Sequence, residues 1–165
     1  MKLLFVIKVL FILLPLISFG QVNPWKEFQF VLHKANIGKE YKFDKTKSKD
    51  QDSLLLVYLG KIVTQNGRVL KILTSRWYWG LAPRATSRII LFNGKNQYLG
   101  DYYLTTTYDV PDKIEASSLV FIKEKGSDCT RGLVTKINFK KGIPKQFFLK
   151  CKGDLGDIYS FSQNL

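Results

Sequence analysis

The chain predicts an all-β domain: an antiparallel meander of seven to eight strands, closed as a sandwich or a small barrel, with a short N-terminal helix. Three observations carry this reading. From Leu54 onward the apolar residues fall into short runs rich in Val, Ile, Leu and Tyr, the composition of strands. Two Asn-Gly pairs, Asn66-Gly67 and Asn93-Gly94, punctuate the first of these runs. The later runs are joined by brief turns containing Gly, Asp or Pro, with no helical stretch between them.

The first twenty residues read as a secretory signal. Lys2 gives a positive start, Val9 to Ile17 give an apolar run broken only by Pro15, and Ser18 and Gly20 suit a cut before Gln21. A membrane-spanning helix needs about 20 consecutive apolar residues, and Lys8 and Pro15 interrupt this run. The expectation is therefore an exported chain, periplasmic or secreted, with no transmembrane span once the signal is removed. Taking twenty residues from 165 leaves 145, enough for one domain with its own core.

In the mature chain, Asn23-Pro24 opens a helix. Trp25, Phe28, Val31 and Leu32 follow at spacings of three and four and mark its buried face. Asn36-Ile37-Gly38 ends it. Residues 38–53 alternate Lys with Glu and Asp and read as a mobile charged connector. Residues 21–53 and the β region 54–165 together make one globular domain.

Leu54–Thr64 and Val69–Trp79 form the first hairpin. Read as a two-residue turn at Asn66-Gly67, it sets Val63 opposite Leu70, Lys61 opposite Ile72 and Leu56 opposite Trp77. Both faces then carry apolar side chains, so this hairpin is expected to be covered on both sides. Arg88–Phe92 and Gln97–Leu104 form the second hairpin, with Phe92 opposite Gln97, Leu91 opposite Tyr98 and Arg88 opposite Asp101. Gly100 marks a bulge or a close backbone approach. Strands at 118–123, 132–139, 146–151 and 157–161 complete the meander. Cys129 and Cys151, the only cysteines, bracket the third-last and second-last of these and pair as a disulfide in an exported protein.

The formal charge is +13, and loss of Lys2 and Lys8 with the signal takes it to +11. That excess favours an anionic glycan, a lipid head group or an acidic protein as partner; export argues against nucleic acid. The charge is concentrated. Residues 53–100 hold seven cations and no carboxylate, and Lys136 to Gly153 form a second acid-free stretch. Within the first stretch, Trp77 and Trp79 share one face of a strand. With Arg76, Arg84 and Arg88 they make the candidate ligand-binding set, indoles to stack on a flat ligand and guanidinium groups to hold an anion. The competing reading is that the indoles fill the core.

Catalytic chemistry is poorly represented. His33 is the only imidazole and has no nucleophile motif near it. Two Cys and one His fall short of a zinc site, so no metal or cofactor is expected. Asp109 and Asp112 flank Val110-Pro111, where Asp caps turns. The expected function is a non-enzymatic, monomeric binding protein. The alternatives are a small hydrolase of an envelope polymer using paired carboxylates such as Asp101 and Glu115, or an immunity- or inhibitor-type partner of another protein.

Overall fold

A computed structural model describes residues 25–45, 52–80, 84–123 and 128–163. The signal segment, the Asn23-Pro24 helix start, the middle of the charged connector, Pro83 and the turn at 124–127 lie outside the described residues. In chain order the elements are α1 (Trp25–Lys34), β1 (Glu40–Asp44), β2 (Ser53–Val63), β3 (Val69–Trp79), β4 (Arg84–Asn93), β5 (Tyr98–Leu104), β6 (Lys113–Glu115), β7 (Ser118–Ile122), β8 (Val134–Asn138), β9 (Gln146–Lys152) and β10 (Leu155–Ser162).

The strands build two antiparallel sheets, and neither closes into a barrel. The larger has seven strands in the order β1-β2-β3-β4-β5-β10-β9; the smaller is β6-β7-β8. The chain meanders through five strands, leaves to build the small sheet, and returns as the β9–β10 hairpin, with β10 docking beside β5 through Phe161 opposite Tyr102. Eight of the strands are those expected. Two are additional: the three-residue β6, and β1, which occupies the first part of the predicted mobile connector. Tyr41 and Phe43 alternate there with Glu40, Lys42 and Asp44, and their rings meet the edge of Phe30 at centroid distances of 5.7 and 5.9 Å. An edge strand needs only one apolar face.

The larger sheet is covered on both sides, as its doubly apolar hairpin required. On one face Phe28, Val31 and Leu32 of α1 pack on Leu54, Leu56, Tyr58, Leu73, Ile90 and Phe92. On the other, Leu119 and Phe121 of the small sheet and Phe139 meet Ile62, Ile72, Ile89, Leu91 and Tyr102. Each buried Leu, Ile or Phe contributes about 1.5–3 kcal/mol relative to exposure. The helix ends at Lys34, because Ala35 takes a left-handed φ of 50° and its N–H reaches back to Val31 O at 3.0 Å.

Both hairpin registers differ from the sequence expectation. In the first, Thr64 pairs with Arg68 through an N–H···O bond of 2.9 Å, so the loop is Gln65-Asn66-Gly67. Only Gly67 takes a positive φ, 78°, where a type I′ turn needs two such residues. A three-residue loop slips the ladder by one: Lys61 faces Lys71 and Ile62 faces Leu70. A bulge between Tyr58 and Gly60 slips it again, leaving Leu56 opposite Ser75 and Trp77 opposite Leu54. The second hairpin repeats the device with Asn96 at φ 61°, so Phe92 faces Tyr98 and, past a bulge, Leu91 faces Gly100. Gly100 serves both expected roles. Its φ is 147°, and a Cβ there would lie 2.2 Å from the Phe161 ring.

The disulfide joins Cys129 to Cys151. Beside it the N–H of Thr130 donates to Cys151 O at 2.8 Å, so this segment runs against the outer edge of β9.

Candidate functional site

The strand period divides the five candidate residues. Trp77, Trp79, Arg84 and Arg88 lie on the helix side of the larger sheet, with Trp79 directly opposite Arg84. Arg76 points to the other side. There its Nε donates to Thr107 O at 3.3 Å, its Nη1 lies 3.6 Å from Glu40 Oε2, and it lines a cleft of about 110 Å³ with Tyr108, Asp112 and Lys123. Arg76 and Arg84 therefore form no common clamp. Trp77 is half-buried and packs against the cluster under α1. Its Nε1 is shut off from solvent and finds no acceptor among the described residues. That indole serves packing, while Trp79 stays partly accessible.

The expected Arg88–Asp101 contact exists, although the shifted ladder places Tyr103 opposite Arg88. Arg88 Nη1 reaches Asp101 Oδ1 at 2.8 Å on the diagonal, and its guanidinium sits 5.1 Å from the Tyr103 ring centroid. Asp101 is only 1% exposed and also accepts from Tyr98 OH at 2.8 Å. This is a half-buried pair rather than a rim contact, so its removal matters more than a surface bridge would.

A second ion pair is buried outright, and no local signal in the chain points to it. Asp109 and Lys123 are each 4% exposed and bonded to one another. The other carboxylate oxygen of Asp109 accepts from Tyr159 OH at 2.5 Å, and that hydroxyl lies 2.7 Å from Thr105 Oγ1. Burial first, then the bond to Asp109, push the Tyr159 phenol well above its usual range. The group ties the β5–β6 connector to the small sheet and to β10. Asp112 caps no local turn: its carboxylate accepts from Ile122 N, at the end of β7, at 2.7 Å. Asp101 and Glu115, the carboxylates expected for hydrolysis, lie on opposite sides of the larger sheet, Asp101 opposite Ile90 on the helix side and Glu115 on β6 of the small sheet.

The uncompensated charge collects at the other end of the molecule. The β2–β3, β4–β5 and β8–β9 turns meet there: Gln65 N donates to Lys140 O at 2.7 Å, and the Cβ position of Gly94 falls 3.5 Å from Val69. This turn end joins the two acid-free stretches and carries Lys61, Arg68, Lys71, Lys95, Lys140 and Lys141. Among the described residues none of the six pairs with a carboxylate. Lys61 and Lys71 face each other directly across the ladder, an arrangement that destabilises a sheet unless an anion answers it. Lys71 leans away to donate to Asn96 Oδ1. The nearest carboxylate along the small sheet, Glu115, is already held by Lys113 at 2.8 Å and Lys136 at 2.6 Å. Those bonds pull its pKa down to about 2.

The facing lysines were hidden by a slip of one residue. With the two-residue turn, Lys61 met Ile72; the signal that would have found the pair is Thr64, whose hydroxyl bonds Asn66 and accepts from Arg68 N at 3.1 Å to close the longer loop. Comparison of the chain with protein-family models, curated proteins and solved structures finds no match.

Proposed function

We propose that this chain is an exported, non-enzymatic domain that binds an anionic polymer of the cell envelope through its turn end. The observation that carries this reading is the Lys61–Lys71 pair: two cations opposed on one rung, with four more on the adjoining turns and, among the described residues, no carboxylate answering them. An external anion would relieve that repulsion. The six cations are spread over three turns, so a ligand able to engage them together is extended and multiply charged, as an acidic glycan is. Export rests on the signal-like residues 1–20, and N-terminal sequencing of the secreted product should begin at Gln21.

The test is titration with a soluble polyanion, dextran sulfate, at rising salt. Affinity should fall steeply from low to physiological ionic strength, because exposed charges are screened over about 8 Å at 0.15 M. Changing Lys61, Lys71, Lys140 and Lys141 together to Gln should abolish binding at physiological salt. Binding that survives those four changes, or that ignores salt, overturns the proposal.

A further inference from the structure

The helix covers only part of its side of the larger sheet. Beyond it, no described residue covers the far half of that face, opposite the turn end. Tyr103 on β5 is 49% exposed, and Ile158 on β10 and Phe148 on β9, directly paired, are 65% and 44% exposed. The alternation places all three on one face. Ser162 opposite Asp101 fixes the side of β10, Ile158 is four residues back, and Phe148 is its register partner. Trp79 and Arg84 continue the face across β3 and β4. Phe148 is held rather than loose, since its ring lies over Gly156, where a Cβ would come within 2.6 Å of it. Leu155, 73% exposed, stands at the tip of the β9–β10 hairpin.

Cations stand around these side chains. Lys150 and Lys152 follow Phe148 on the same side of β9, and Arg84 is exposed at the β4 end. Two exposed carboxylates stand near them: Asp154 in the β9–β10 turn, 4.0 Å from Lys150, and Asp157, next to Ile158 and on the other side of β10. Arg88 is already neutralised by Asp101. The open face therefore keeps a positive excess around an apolar, aromatic centre.

We propose that this face of β3-β4-β5-β10-β9 docks on an anionic lipid surface, with Phe148, Ile158 and Tyr103 entering the head-group boundary and Arg84, Lys150 and Lys152 meeting lipid phosphates. Charge complementarity selects the lipid: an uncharged apolar partner would leave Arg84 and Lys152 desolvated and, among the described residues, unanswered. The residue types agree. Tyr and Trp place an apolar body and a polar tip at a membrane boundary, and Lys and Arg bury their stems while keeping the charge at head-group level. The cleft beside Arg76, which could grip a protruding side chain, opens on the opposite face. This surface is separate from the turn end, and the proposal does not depend on polyanion binding there.

The experiment is flotation of the exported chain with vesicles of phosphatidylglycerol mixed with phosphatidylcholine, and with phosphatidylcholine alone, followed by tryptophan quenching with brominated lipid. Anionic vesicles should bind the chain, with affinity falling about fivefold for each of Arg84, Lys150 and Lys152 neutralised. Phe148→Ser with Ile158→Ser should weaken vesicle binding at least about tenfold and leave dextran sulfate binding unchanged. The four-lysine variant of the turn end should lose dextran sulfate and still show quenching. Both Phe148 and Ile158 face solvent, so a fold defect is not expected; if circular dichroism reveals one, Arg84→Gln with Lys152→Gln decides in their place. Vesicle binding that is equal with and without phosphatidylglycerol, or unmoved by either pair of substitutions, overturns the proposal. So does capture of this face by a soluble acidic protein with no vesicle binding.

Discussion

The two ends of the larger sheet handle positive charge in opposite ways. At the far end three cations near the core are given a carboxylate: Arg88 has Asp101, Lys123 has Asp109, and Arg76 has Glu40. At the turn end lysine faces lysine, and among the described residues the remaining cations pair with no carboxylate. The same residue types thus serve architecture in one group and stand without a carboxylate in the other. Net charge alone does not separate these two groups of cations; the pattern of compensation does.

The largest expected effect tests the architectural half of that contrast. Asp109→Asn leaves the Lys123 ammonium buried without its counter-charge, and should lower unfolding free energy by about 3–5 kcal/mol in a denaturant titration. If the transition midpoint is unmoved, the pair is not structural and the contrast fails. Arg88→Ala should cost less, about 1–3 kcal/mol, because Asp101 keeps the Tyr98 hydroxyl as a donor. Dextran sulfate binding should be unaffected by either change.

The buried hydroxyls sharpen the point through pH. Tyr98, Tyr102 and Tyr159 all have phenols raised from 10.0, by burial first and, for Tyr98 and Tyr159, by bonds to Asp101 and Asp109. A raised folded pKa favours the protonated form in the native state, so this stability is complete below pH 10.0 and is lost as pH climbs above it. Thermal unfolding should therefore show the midpoint falling steadily above that pH. Tyr159→Phe should blunt the fall, and a flat profile would contradict the burial.

The smallest effect belongs to the turn end and has the opposite sign. Lys71→Ala removes one of two opposed cations and should leave stability unchanged or raise it by up to about 1 kcal/mol, while weakening dextran sulfate binding. A clear loss of stability would mean that the rung is not under repulsion.

Much of the fold was legible because it rests on local signals. The helix face from Trp25 to Leu32, eight strands and the disulfide all follow from period, turn residues and cysteine count. What failed was finer. Tyr41 and Phe43 sit among five charged neighbours within residues 39–45, and solvated composition masked an edge strand that uses only alternate positions. The Asn-Gly turn was visible, but its length depends on whether Asn66 also turns left-handed, and the Thr64 hydroxyl decides that in three dimensions. Of the site, the separation of Arg76 from Trp77 and Trp79 was implicit in the strand period. The burial of Asp109 was not, since Lys123 and Tyr159 lie 14 and 50 positions away and only packing brings them together.

The Cys129–Cys151 link, with Thr130 bonded to Cys151 O, occupies the last rung of the larger sheet with the protein's own backbone. A rung already taken cannot recruit a strand from a neighbouring molecule. Treatment with a reductant should undo that guard, and the protein should begin to polymerise border to border, seen as light scattering that grows with concentration while the oxidised form stays clear.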